Sequence, residues 1–260
     1  MSAMTRVPVQ ESRERARTNA NTPAGFDYVA HYNADGEFFD YDADVAFAPD
    51  ERRRRQIVLD LAGARAGESV LDVGSGSGWL SRALAASRCR VTALDLSLRN
   101  LRGTREGSTV RPVLGESARP PFASDAFDRV IAIEVIEHVT DPALMLREMR
   151  RVLKPGGTLV IAVPYNERIE YNICIHCNQP TPKSAHLHSF SREALRNLLS
   201  GAGFEIRRER LFLNKGISLL RLNAVLGWLP YPLWRVIDGA ANRMTDRVRH
   251  IGIVARKDGA

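Results

Sequence analysis

From residue 69 onward, short apolar runs alternate with longer stretches of helical period, and the links between them are short. The apolar runs predict strands over 69–73, 90–94, 109–114, 127–133 and 158–163. Between them, apolar residues spaced three and four apart predict helices over 79–87, 97–102 and 141–153. Ser97 suits the cap of the second helix, and Asp141-Pro142 opens the third with proline in its first turn. The 127–133 run is apolar almost throughout, as suits a strand covered on both faces at a sheet centre. A further helical pattern over 49–62 precedes the first strand.

This alternation predicts an α/β fold with a mostly parallel sheet and helices on both faces. It is interrupted twice, over about 165–190 and 214–247, with a helix over 191–199 and a strand over 204–213 between the interruptions. A last strand is predicted over 248–257. The organisation read from the chain is a flexible amino-terminal arm over 1–24, a helical cap over 25–66, and a single domain over 67–260 carrying the two insertions. Open α/β sheets bind ligands outside the carboxyl ends of their strands, so insertions at that edge place variable material at the ligand site.

Composition changes this picture little: 44% of residues are hydrophobic and 7% aromatic, an ordinary globular balance. The net charge of +7 favours anionic partners. Yet arginine is scattered, and the run 52–55 lies in a predicted helix, where four consecutive side chains point in different directions. No interleaving of basic and aromatic residues marks a nucleic-acid face, so nucleic acid is the minority expectation. The arm lacks the apolar core of a secretory signal, and three cysteines without one suit a reducing, cytoplasmic setting.

The most informative stretch is Val70-Leu71-Asp72-Val73-Gly74-Ser75-Gly76-Ser77-Gly78. Glycines at 74, 76 and 78 let the backbone turn sharply and approach a ligand. The spacing is G-x-G-x-G rather than the G-x-G-x-x-G of dinucleotide binders. Asp72 stands two residues before the turn, where a carboxylate suits a cationic amino-acid moiety and would repel a pyrophosphate. Asp95, 21 residues after Gly74, suits ribose hydroxyls in either class.

With these motifs the chain resembles the class I methyltransferases, specifically the broad group that includes ubiquinone and menaquinone biosynthesis enzymes. VLDVGSGSG resembles that group's methionine-cradling loop, with Gly74, Ser75, Gly76 and Gly78, and VTALDLS its second strand, with Asp95 at the ribose and Leu96 beside the adenine. GESARPPFASDAFDRV resembles a segment in which Asp-Ala precedes Leu-Pro-Phe; Glu116 and Ser117 stand in the Asp-Ala places, and the longer carboxylate can still accept from the adenine amino group. RVLKPGGTLVIAVP resembles the helix, turn and fifth strand. The resemblance implies a Rossmann-like seven-stranded sheet in the order 3-2-1-4-5-7-6, with strand seven antiparallel, and S-adenosylmethionine as cofactor. FDYVAHY resembles the group's entrance helix, which implies that Tyr28 or Tyr32 touches the cofactor.

Candidate chemistry follows strand four, in Glu134-Val135-Ile136-Glu137-His138. A helical turn there would gather Glu134, Glu137 and His138 on one side. His138 suits a general base with Glu137 orienting it. The pattern also resembles the E-x-x-E-H of small-RNA 2'-O-methyltransferases and of ubiquinone-pathway O-methyltransferases, which implies a divalent metal such as magnesium against the acceptor hydroxyls. In the plainer alternative Glu134 touches cofactor and the other two cap the next helix.

The first insertion holds Cys174-x-x-Cys177 and, eight residues on, His186-x-His188. Two thiolates from a tight turn and two imidazoles on one side of an extended segment supply four ligands for a structural zinc. Alternatively, His186 or His188 completes a catalytic metal site with Glu134, Glu137 and His138, or the loop simply lines the acceptor cleft.

The second insertion is apolar over 216–229 and continues as Pro230-Tyr231-Pro232-Leu233-Trp234. It is too short to span a bilayer. Three uses remain open for it: a lid over the cleft, a homodimer contact, or peripheral membrane contact through Trp228, Tyr231 and Trp234. Each implies a partly apolar acceptor. The favoured function is O-methylation of a small, partly apolar metabolite such as a quinone precursor, lipid or natural product. The alternatives are metal-dependent RNA 2'-O-methylation and a non-catalytic cofactor-binding relative.

Overall fold

A buried apolar strand followed by glycines organises the centre of the molecule. The computed structural model describes residues 27–38, 49–105, 108–173, 178, 180–220, 222–245 and 247–259. In chain order its first half comprises α1 (Tyr28–Phe38), α2 (Pro49–Ala62), β1 (Ser69–Val73), α3 (Trp79–Ala86), β2 (Arg90–Asp95), α4 (Leu98–Arg105), β3 (Arg111–Leu114), β4 (Phe127–Ile133) and α5 (Pro142–Val152). There follow β5 (Leu153–Pro164), β6 (Tyr171–Ile173), β7 (Pro180–Pro182), α6 (Arg192–Gly201) and β8 (Phe204–Asn214). The last elements are α7 (Lys215–Leu219), α8 (Leu222–Val225), a 3-10 turn (Leu226–Trp228), α9 (Tyr231–Met244) and β9 (Val248–Lys257).

The main sheet runs β3-β2-β1-β4-β5-β9-β8, and β6 and β7 form a separate antiparallel hairpin. Leaving the hairpin out of the count, this is the expected 3-2-1-4-5-7-6 order. The first five strands are parallel, and β9 runs antiparallel to both neighbours. β5 starts at Leu153, earlier than its apolar run, because Leu153 pairs with Phe127 before an irregularity; the ladder resumes at Arg129 and Thr158.

Each face of the sheet carries its own core. On one, Met145, Leu146 and Met149 of α5 and Leu195 and Leu199 of α6 pack against Leu71, Val130 and Ile161. On the other, Ile57 and Leu61 of α2, Leu80 and Leu84 of α3 and Trp234 of α9 pack against Val70, Ile131 and Val160. Helix α2 thus belongs to the layer that covers the sheet. Caps set the helix starts: Ser97 Oγ accepts from Asn100 N, Asp141 Oδ1 from Leu144 N, and Ser191 Oγ from Ala194 N. Among the described residues no helix is long and apolar enough to cross a membrane.

Candidate functional site

The carboxyl ends of β1, β2 and β4 converge on the glycine turn. The Gly74 and Ser75 amides both donate to the Leu94 carbonyl at 2.8 and 3.1 Å, which ties the turn to β2. Two glycines are required by space as well as by backbone. Gly78 has φ +79°, and a Cβ there would lie 2.4 Å from Thr104 Oγ1; Gly74 has φ +64°, and a Cβ there would lie 2.5 Å from Val135 Cγ2. The second contact also shows that the segment after β4 lies directly across the glycine turn.

Two carboxylates flank this turn. Asp72, buried at 3% exposure, accepts from Ser81 Oγ at 2.6 Å. Burial pushes its carboxyl up to about 7, with Asp95 adding to the rise. Asp95 accepts from the amides of Gly76 and Ser97, both at 2.8 Å, and burial outweighs these bonds in raising it. Leu96 is half-buried against the core, Glu116 is half-buried, and Ser117 is buried just after β3. Ser75 Oγ is buried with no hydrogen-bond partner among the described residues. Glycines stripped of side chains, a desolvated carboxylate and an unpartnered buried hydroxyl together suit a polar ligand with a cationic end, as S-adenosylmethionine has.

The segment after β4 departs from the expected helical turn. Glu134 takes a left-handed backbone (φ +56°) at the strand end, and only one tight turn follows, closed by His138 N donating to Val135 O at 3.0 Å. This kink separates the three residues. Glu134 turns toward β9, where its Oε1 lies 3.7 Å from His250 Nε2. Burial pushes its carboxyl up to about 7. Glu137 and His138 turn together toward the first insertion.

There the chain brings in side chains from afar. The ligand atoms of Glu137, His138 and His186 lie within 4.8 Å of one another. Glu137 is 1% exposed, and neither carboxylate oxygen has a hydrogen-bond partner among the described residues. Desolvation, with Glu134 beside it, raises its carboxyl well above the usual range. His138 is not oriented by Glu137, whose Oε1 stands 4.0 Å from Nε2; its Nδ1 instead meets the Tyr32 hydroxyl and, at 3.3 Å, the Ala185 carbonyl. Burial and the neighbouring His186 hold His138 down at about 3, so its imidazole is neutral. His186 Nδ1 pairs with Glu167 Oε2 at 2.6 Å, and its ring stands edge-on to His138 with centroids 4.7 Å apart. The insertion is held down by the Leu187 and His188 amides, both donating to the Glu137 carbonyl.

His186 and His188 therefore do not share a face. His188 Nε2 donates to the Val139 carbonyl at 2.9 Å and does not join the cluster. The cause is local: residues 186–188 are bonded to the Glu137 turn, not laid out as a strand. Cys174 and Cys177 lie outside the described residues, as does the side chain of Tyr28. Tyr32, expected at the cofactor, has its hydroxyl on His138. Sequence reasoning missed Glu167 and His250. Both lie on segments with no motif, and only the packing of the first insertion and the β5–β9 pairing brings them to the site.

The profile of a family described as a methyltransferase domain matches residues 46–209. The chain belongs to this family. A methyltransferase domain with this glycine turn and buried carboxylate takes S-adenosylmethionine as its methyl donor. Among curated relatives, a demethylmenaquinone methyltransferase of Renibacterium salmoninarum is 39% identical over 125 residues, 48% of this chain and 53% of that one. A ubiquinone biosynthesis O-methyltransferase of Xanthomonas oryzae pv. oryzae is 40% identical over 110 residues, 40% of this chain and 44% of that one. This chain thus spans about half the length of the curated relatives it matches. Among solved structures, an S-adenosylmethionine-dependent methyltransferase of Mesorhizobium loti superposes with a TM-score of 0.56 at 18% identity, covering 82% of this chain and 99% of that one. At that identity the likeness shows the fold alone.

Proposed function

We propose that the protein transfers the methyl group of S-adenosylmethionine to a hydroxyl of a small, partly apolar acceptor held against Glu137, His138 and His186. The observation that carries this reading is the convergence of those three groups beside the glycine turn. The bound cofactor supplies an electrophilic methyl on a sulfonium, so the chain's own work is to position the acceptor, exclude water and take up its proton. Val135 packs on the glycine turn and the Tyr32 hydroxyl meets His138, so the largely buried cluster lies next to the cofactor cradle. Both named relatives support a quinone-type acceptor, and the one named an O-methyltransferase supports oxygen as the methylated atom.

The donor set also fits a divalent cation. The neutral His138 imidazole needs no proton displaced, His186 offers a second imidazole, and Glu137 is a buried carboxyl whose oxygens have no donor among the described residues. A cation held by Glu137, His138 and His186 would act as a Lewis acid that favours the deprotonated hydroxyl. Glu167, bonded to His186 Nδ1, fixes that ring's tautomer in either case. A structural zinc shared by Cys174, Cys177, His186 and His188 finds less support, because His186 and His188 are committed to different partners.

The test is transfer of labelled methyl from S-adenosylmethionine to a panel of catechols and quinols, with cofactor affinity measured alongside and added magnesium, manganese or zinc compared with chelator. Product carrying the label on oxygen, and lost in His138→Ala and His186→Ala at unchanged cofactor affinity, is the expected result. Label on carbon or nitrogen, or full transfer by both variants, overturns the proposal.

A further inference from the structure

Helix α9 is amphipathic in the reverse sense. Its inner face carries fully buried Trp234 and Asp238. Asp238 accepts from the amides of Leu213 and Asn214 at 3.2 and 2.9 Å, and from Asn242 Nδ2 at 3.1 Å. Trp234 Nε1 donates to Asn223 of α8 at 2.8 Å. The outer face carries Leu233, Val236, Ile237 and Met244, all exposed, at positions that fall along one stripe of the helix. The segment before it behaves alike. Buried Arg53 grips the carbonyls of Leu226 and Leu229 at 3.0 and 2.9 Å and lies over the Trp234 ring, while Trp228 between them is 78% exposed. The unit is thus fastened through Trp234 and polar groups and turns Trp228 and the α9 stripe outward; Trp234 and Tyr231, expected at a membrane surface, instead pack inward against the core.

The concentration is decisive. Of the fourteen large apolar side chains exposed among the described residues, nine lie between 219 and 244. Scattered exposed apolar residues need no explanation, but their concentration in one stretch of chain marks an interaction surface. The charge around it identifies the occupant. Residues 215–247 carry five basic side chains, Lys215, Arg221, Arg235, Arg243 and Arg247, against Asp238 and Asp246. Asp238 is buried, whereas Lys215, Arg243 and Arg247 are exposed. A two-fold contact between copies would set these cations against each other, whereas an anionic lipid surface complements them.

We propose that the face formed by α7, α8, the 3-10 turn and α9 is a peripheral docking surface that seats flat on a bilayer containing anionic lipid. At 14 residues α9 is about 21 Å long, short of the roughly 30 Å hydrocarbon core, so it lies in the interface and does not span. Leu219, Val225, Trp228 and the α9 stripe enter the acyl boundary, and the cations stay at headgroup level. The unit links the end of β8 to the start of β9, and His250 near that start faces Glu134. Docking of this face is independent of which atom is methylated.

The test is sedimentation of the full chain with vesicles of phosphatidylcholine alone or with about one third phosphatidylglycerol, at low and high salt. Binding to the anionic vesicles at low salt, weakened by salt and at least about tenfold weaker on neutral vesicles, is the expected result. The pair Val236→Asp and Ile237→Asp lowers that binding about tenfold or more, and Arg243→Ser with Arg247→Ser removes the anionic preference. These side chains are exposed, so the thermal midpoint holds; should the aspartate pair fail to fold, Trp228→Ser carries the same comparison. No binding by the unaltered chain, binding indifferent to all these substitutions, or a solution dimer dissolved by the aspartate pair overturns the proposal.

Discussion

The two halves of the candidate site are built in opposite ways. The cofactor half is a continuous piece of chain: Asp72, the glycine turn and Asp95 lie within 24 residues, the turn and Asp95 are tied by main-chain amides, and Asp72 accepts from nearby Ser81. The acceptor half gathers Tyr32, Glu137, His138, Glu167 and His186 from four separated segments, through side-chain contacts. A ligand common to a whole family can be met by a local motif, because the same strand–turn–helix always presents the same amides. An acceptor particular to one protein is met by insertions, whose placement depends on everything they pack against. The halves should therefore respond differently to substitution.

The largest effect is expected in the acceptor half. His138→Ala and His186→Ala should each lower turnover by about 10²–10⁴ while S-adenosylmethionine affinity changes little, measured by single-turnover transfer and calorimetry. Equal losses of both would break the division into halves. Next, Gly78→Ala should destabilise the protein by about 2–4 kcal/mol and weaken cofactor binding, because the new Cβ meets Thr104 in a left-handed backbone. Pairing it with Thr104→Gly should return part of that loss, which denaturant unfolding would show.

Asp72 sharpens the comparison through pH. Its folded-state carboxyl, raised to about 7, holds its proton far above the usual 3.8. The stability this contributes is present below about pH 4 and is lost as pH rises through 7, so at pH 8 the buried carboxylate costs up to a few kcal/mol. Asp72→Asn should accordingly raise the melting temperature at pH 8 and not at pH 4, while weakening cofactor binding. In the unaltered protein, affinity for the cationic cofactor should fall by nearly tenfold per unit below pH 7, followed by calorimetry. The smallest effect belongs to Tyr32→Phe, which removes one hydrogen bond to His138. It should lower turnover about tenfold with unchanged cofactor affinity; a loss of affinity instead would return Tyr32 to the cofactor half.

Legibility in the sequence follows the same division. The strands of the main sheet and the caps at Ser97 and Asp141 were readable because each rests on local period or on a bond spanning three residues, while the strand order followed from the family resemblance. The expected helical turn over 134–138 was not what formed. A left-handed Glu134 splits the E-x-x-E-H run, sending one carboxylate to His250 and the other to His186. Likewise, the spacing of His186-x-His188 suggested a shared face, but amide bonds from that segment to the Glu137 carbonyl set its two rings on different partners.

The apolar segment over 216–234 shows the limit most plainly. Its composition was visible, but composition does not tell which side faces inward. Buried Asp238 and Asn223, satisfied by neighbouring amides and side chains, are drawn into the protein together with Trp234, and Leu233, Val236 and Ile237 are left outside. By itself, the sequence determined the strands, the glycine turn and the cofactor class, because short apolar runs, positive-φ glycines and a carboxylate before a turn act over a few residues. Only the tertiary structure decided which histidine joins Glu137, what orients His138 and which way α9 faces, because those outcomes rest on contacts between segments tens of residues apart.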